Sequence, residues 1–97
     1  DTAPAKFEIG SKVSNSTISA GCRIRGTVTG SILGRNVIIE RGAIVRDSIV
    51  MEGCIVKEGS VVEHAIVDRS NIIPAGTELR GTSEEILIQR KNNKRVA

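Results

Sequence analysis

The aliphatic residues Leu33, Ile39, Val45, Val50, Val56, Val62, Val67, Ile73 and Leu79 follow one another at spacings of 6, 6, 5, 6, 6, 5, 6 and 6. The pattern therefore closes after every third step, as 33→50→67, 39→56→73 and 45→62→79. Neither a helical period nor simple alternation produces this count. Two residues before each aliphatic stands a mostly small residue: Ser31, Val37, Ala43, Ser48, Cys54, Ser60, Ala65, Asn71 and Thr77. Residues i and i−2 of a strand share a face, so small and branched side chains together fill one interior. The residue between them points outward and is Ile or Val from Ile32 to Ile72, until Glu78 ends the series.

Gly42, Gly53, Gly59 and Gly76 each stand three residues after an inward aliphatic, where the chain has to turn and positive φ suits glycine. Three short strands and three turns in each such period describe one triangular coil of a solenoid. The expected fold is all-β, a left-handed parallel β-helix of about four coils. A β-sandwich of short strands is the alternative, but hairpin turns do not yield a fixed 6-6-5 count. Composition agrees: the sequence has one Phe, no Trp and no Tyr. The core must then be built from β-branched residues, which favour strands.

Upstream the rhythm loosens. Val13, Ile18, Ile24, Val28 and Leu33 are spaced 5, 6, 4 and 5, so the coil from Ile18 to Leu33 is two residues shorter than the later ones. The expected organisation is a lead-in over 1–12, coils over 13–82, and a capping strand with a basic tail over 83–97. The chain opens on Asp, as a piece of a longer polypeptide would.

Stacked coils also place charges in register. Arg35 falls beside Glu52 and Glu52 beside Arg69; Arg41 beside Glu58; Glu40 beside Lys57; Arg46 beside Glu63 and then Arg80. Such rungs, about 4.8 Å apart, are worth about 0.2–1 kcal/mol each. The outward stripe Ile38, Ile55 and Ile72 wants a cover, from a second subunit or another domain.

Net charge is +3, too small to imply a nucleic-acid partner, and without aromatics there is nothing on which bases would stack. No apolar run reaches the length of a membrane span, and a cytoplasmic protein is expected. Cys22 and Cys54 fall in one inward column with Val37 between them. Two coils separate them by about 9–10 Å, too far for a disulfide, so both are expected as reduced, buried thiols.

His64 is the single histidine. Solenoids of this repeat also serve as zinc-dependent carbonic anhydrases, which need three His, and as acyltransferases, which can use one His as general base. His64, at an outward corner with Glu63 adjacent and no nucleophile-and-base constellation beside it, reads first as a solvated corner residue. Arg90, Lys91, Lys94 and Arg95 crowd four positive charges into six residues; they can hold a phosphate or lie solvated.

Three segments resemble the C-terminal domain of bacterial glucose-1-phosphate adenylyltransferases. They are Pro4-Ala5-Lys6-Phe7 with Ser19-Ala20-Gly21-Cys22-Arg23-Ile24-Arg25-Gly26-Thr27-Val28, then Ile66-Val67-Asp68-Arg69 with Ile72-Ile73-Pro74-Ala75-Gly76, then Ser83-Glu84-Glu85-Ile86-Leu87-Ile88 with Arg90. Ser48-Ile49-Val50-Met51 most resembles the companion, or regulatory, subunit of glycogen biosynthesis. The resemblance implies a parent enzyme that makes ADP-glucose from ATP and glucose 1-phosphate, with its catalysis in an N-terminal domain absent from this sequence. It implies no catalytic residue, metal or cofactor here. The implied partners are that N-terminal domain and other subunits, tetrameric in the parent, and a phosphorylated effector. Arg69 matches an effector-contacting arginine, and Arg90 a basic residue near the activator site. A hexapeptide acyltransferase and a ligand-free structural solenoid are the alternative functions.

Overall fold

A computed structural model of the chain describes residues 3–91. The first coil is β1 (Lys6–Phe7), β2 (Lys12–Ser14) and β3 (Thr17–Ile18), and the second β4 (Arg23–Ile24), β5 (Thr27–Thr29) and β6 (Ile32–Leu33). The third is β7 (Ile38–Ile39), β8 (Ile44–Arg46) and β9 (Ile49–Val50), and the fourth β10 (Ile55–Val56), β11 (Val61–Glu63) and β12 (Ala65–Val67). β13 (Ile72–Ile73), β14 (Glu78–Arg80) and β15 (Leu87–Gln89) complete the series. Every third strand pairs in parallel, giving three sheets of five strands, β1-β4-β7-β10-β13, β2-β5-β8-β11-β14 and β3-β6-β9-β12-β15. Four full turns carry the chain from β1 to β13, and β14 and β15 add two further sides. This is the parallel β-helix that the hexapeptide rhythm predicts.

The register follows the 6-6-5 count. Leu33 lies against Val50 and Val50 against Val67; Ile39 stacks on Val56 and Val56 on Ile73; Val45 stacks on Val62 and Val62 on Leu79. From Leu33 to Val67 the inward aliphatics are fully buried. The stretch expected as lead-in carries β1, which pairs with β4, and the capping strand is β15, which pairs with β12.

The short coil has a local cause. Phe7 stacks on Ile24, a full period away, but Ile24 stacks on Ile39, two positions nearer in sequence. The two missing residues are at the corner between β4 and β5, where Gly26 is buried. A Cβ there would lie 2.3 Å from the Ala43 carbonyl oxygen and 2.9 Å from that of Glu40, so only glycine lets the corner be cut this tightly. At the ordinary corners Gly42, Gly53, Gly59 and Gly76 do have positive φ, between 72° and 77°. Asn15, Asn36, Asp47, His64 and Ser70 take the same left-handed conformation, in which Asn, Asp and His are the commonest residues after glycine.

The small inward residues do more than fill space. At the sharp corner before β6 and β9 the backbone amides bond to side chains: the Ser31 amide donates to Ser16 Oγ at 3.0 Å and the Ser48 amide to Ser31 Oγ at 3.1 Å. Each hydroxyl then donates to the carbonyl two residues back, Ser31 to Thr29 at 2.8 Å and Ser48 to Arg46 at 2.7 Å. This hydroxyl ladder satisfies amides that would otherwise be buried unpaired.

Beyond Arg80 the chain leaves the coil. Ala65 pairs with Leu87 although Glu63 pairs with Arg80, so residues 82–86 bulge out as an excursion pinned by reciprocal backbone bonds between Thr82 and Glu85.

Candidate functional site

One corner joins the β3-β6-β9-β12-β15 sheet to the next side of the helix, and its outermost residues form a column. The Gly53 amide donates to the Arg35 carbonyl and the Ser70 amide to the Glu52 carbonyl, both at 2.9 Å. Arg35, Glu52 and Arg69 therefore stand rung over rung, as their spacing predicts. All three are exposed.

Beside the column runs an open groove of about 450 Å³, lined among others by Ile32, Ile49, Met51, Arg35, Glu52 and Arg69. Its floor is the outward face of β6 and β9, where Ile32 is 49% and Ile49 40% exposed. The wall carries two guanidiniums and one carboxylate. A guanidinium offers a planar fork of donors that fits phosphate or carboxylate oxygens. The groove can thus hold an anion at its wall and an apolar group on its floor.

Both predicted effector residues come to this corner. Val67 pairs with Gln89, and the Asp68 amide donates to the Gln89 carbonyl at 2.9 Å, so Arg90 follows directly above Asp68. The buried Asn71 amide side chain holds that backbone in place, donating to the Arg90 carbonyl at 3.1 Å and the Asp68 carbonyl at 3.0 Å. Arg69 lines the groove; Arg90 does not. Of the basic tail, Lys94 and Arg95 lie outside the described residues.

The charge rungs are only partly made. Glu63 is 3.8 Å from Arg46 and 2.7 Å from Arg80. Among the described residues no ion pair joins Arg35 to Glu52, Glu52 to Arg69, Arg41 to Glu58, or Glu40 to Lys57, which corrects the expectation for those four. These side chains leave from turns, where they fan into water, and an exposed pair gains too little to hold them together. Other ion pairs form beyond those rungs, and Arg25 stands one coil on from Glu8 in the same register. Arg23 donates to Glu8 at 3.0 Å and Arg25 lies 3.1 Å from the same carboxylate. The Arg23 hydrogen bond, then that of Arg25, holds the Glu8 carboxyl below the usual carboxylate range.

His64 occupies a different corner. Its Nε2 is 3.7 Å from Asp47 Oδ2, and its carbonyl accepts the Leu87 amide at 3.0 Å, tying β15 to the stack. It does not line the groove of Arg35 and Arg69. Cys22 and Cys54 are free and buried, as expected. Each thiol donates to a carbonyl, Cys22 to Gly34 at 3.0 Å and Cys54 to Asp68 at 2.9 Å. Burial pushes both thiols above the ordinary range, the opposite of what a reactive cysteine requires. Among the described residues no helix is long and apolar enough to cross a membrane.

Comparison with known proteins adds a family to this geometry. The GlmU-like C-terminal hexapeptide family matches residues 3–86, nearly the whole described helix. The chain belongs to that family. Within it, this hexapeptide domain is 50% identical over 46 residues to the glucose-1-phosphate adenylyltransferases of Streptomyces coelicolor and Streptomyces avermitilis. The aligned stretch is 47% of the chain and spans only 12% and 11% of those relatives' own lengths. The matches agree with the family resemblance read from the sequence.

Proposed function

We propose that this hexapeptide domain is the C-terminal part of a cytoplasmic glucose-1-phosphate adenylyltransferase subunit. In that role it joins subunits and the N-terminal catalytic domain, and it supplies part of a site for a phosphorylated effector in glycogen synthesis. The observation that carries the reading is the 50% identity to two such enzymes over 46 residues, together with the family match along residues 3–86. The groove supports the effector role, since Arg69, the arginine that the family resemblance singles out, lines it. Oligomerisation is supported by the exposed isoleucines, because a solenoid side that leaves Ile32, Ile49 and Ile88 between 40% and 55% exposed gains by being covered.

The fold allows a division of labour. Chemistry belongs to the N-terminal domain, and a stiff rod of stacked coils transmits a contact at its corner to the surfaces at its sides. An effector acts on catalysis only through differential affinity for two states of the whole subunit.

The test uses the full-length subunit with its partner subunits. ADP-glucose formation from ATP and glucose 1-phosphate is measured against increasing fructose 1,6-bisphosphate or AMP. The expected result is activity whose effector half-saturation rises in Arg69→Ala while effector-free activity is unchanged. Absence of nucleotidyl transfer, or acetyl transfer that is lost in His64→Ala, would replace this reading with another.

A further inference from the structure

Cys22, Val37, Cys54 and Asn71 stack in one buried column where the chain enters the β1-β4-β7-β10-β13 sheet. Three of them donate to a carbonyl at the end of their own coil. Cys22 bonds Gly34 at 3.0 Å, Cys54 bonds Asp68 at 2.9 Å, and Asn71 bonds Arg90 at 3.1 Å. Val37 shows that the column also accepts an apolar side chain.

Asn71 differs from the cysteines in having a second proton to give. It goes to the Asp68 carbonyl at 3.0 Å, at the end of the coil before. Asp68 is fixed from other sides too. Its carbonyl also takes the Cys54 thiol, its amide donates to the Gln89 carbonyl at 2.9 Å, and its Oδ1 accepts the Arg69 amide at 2.8 Å. Strand pairing already joins β15 to β12 from Ala65–Leu87 to Val67–Gln89. What Asn71 adds is a tie beyond that pairing, between the turn that launches Arg69 and the backbone of Arg90.

We propose, resting on the reading of this corner as part of an effector site, that Asn71 is a positioning residue. Its carboxamide locks the end of β15 to the Asp68–Arg69 turn, so that Arg69 and Arg90 meet a ligand as one prearranged unit. Asn71 is 1% exposed and touches no ligand itself. Without the tie Arg69 keeps its place on the coil, while Arg90 moves with the end of the chain. A ligand that engages both must then order that end, which weakens its binding.

The test uses the full-length subunit with its partner subunits. ADP-glucose formation is titrated with fructose 1,6-bisphosphate in Asn71→Val and Asn71→Cys, side chains that this column already holds. The half-saturating concentration is expected to rise several-fold in Asn71→Val and by less in Asn71→Cys, which keeps one of the two bonds. Hydrogen exchange of the peptide containing Asp68 should quicken in both, while that of the peptide containing Ile32 stays as in the parent. Arg90→Ala, which raises the half-saturation in the parent, should add little in the Asn71→Val background. If Asn71→Val shows no cooperative thermal transition, Asn71→Cys carries the same comparison with Arg90→Ala. An unchanged half-saturation, unchanged exchange at Asp68, or losses that simply add to that of Arg90→Ala overturn the positioning role. A half-saturation that still rises in Arg69→Ala then leaves the effector reading standing. An Arg69→Ala variant that responds as the parent does removes that reading as well.

Discussion

The amide of Ala65 donates to the hydroxyl of Ser48, one coil below it, at 3.1 Å. The same hydroxyl donates to the Arg46 carbonyl at 2.7 Å, so one side chain stitches two coils and a corner. Ser48 is buried. Ser48→Ala is expected to strand a buried donor and an acceptor and to cost about 1–3 kcal/mol. Urea unfolding checks this, with Ser83→Ala in the exposed excursion as a control expected to fall within about 0.5 kcal/mol of the parent.

Adjacent residues on one strand should differ sharply. Leu33 is fully buried between Ile18 and Val50, whereas its neighbour Ile32 is 49% exposed. Leu33→Ala opens a cavity in a core without aromatics and should cost about 2–5 kcal/mol. Ile32→Ala should change stability little in the isolated domain. The same pair of variants compared by urea unfolding tells inward from outward directly.

Much of this is legible in the sequence, and the parts that are not share a reason. Spacing alone gives Leu33, Val50 and Val67 their column, because a period of two within strands and a fixed 6-6-5 count between coils leave no other register. Glycines at the ordinary corners are legible for the same reason. His64 and Asp47 in left-handed turns are less so, since Asp and His only lean towards positive φ where glycine takes it freely. Ser31 and Ser48 read as small fillers because packing sees volume, whereas their hydroxyls answer to which amides the sharp corner orphans. Glu52 falls correctly between Arg35 and Arg69, but spacing fixes backbones and not the ends of long exposed side chains. The groove's apolar floor is likewise hidden from spacing. Of the expected stripe, Ile38 and Ile55 are half-buried while Ile72 at its end is exposed, and Ile32 and Ile49 on another side of the helix are exposed as well.

Gly26 is the residue that permits the short coil. Gly26→Ala puts a methyl within 2.3 Å of the Ala43 carbonyl oxygen, and backbone has no rotamer with which to retreat. Destabilisation by more than about 1 kcal/mol is expected, again read by urea unfolding. Gly59→Ala makes a useful contrast, because nothing lies within 4 Å of its Cβ position and its cost comes only from a φ of 72°.

Acid should weaken the tie between the first two coils. Glu8 titrates below the usual carboxylate range because Arg23 and Arg25 favour its charged form. A depressed folded-state pKa contributes stability that is present above the ordinary carboxylate pKa and is lost as pH falls through the depressed value. Glu8→Gln should therefore lower the neutral plateau modestly and converge with the parent in acid, which flattens the acid limb of the stability profile measured by urea unfolding across pH. High salt should shrink the difference, since all three side chains reach solvent.

The stack itself can be cut to length. Deleting residues 51–67 removes one whole coil and brings Asp68 into the place of Met51, with every later residue in its old register. Deleting 51–66 leaves one residue too many and turns each later inward residue outward. Thermal unfolding followed by circular dichroism should show the first variant melting cooperatively at a reduced temperature, as expected for one fewer repeat, and the second without a folded baseline. Equal behaviour of the two deletions would contradict a coil of fixed 6-6-5 length, and with it the column of arginines that forms the groove.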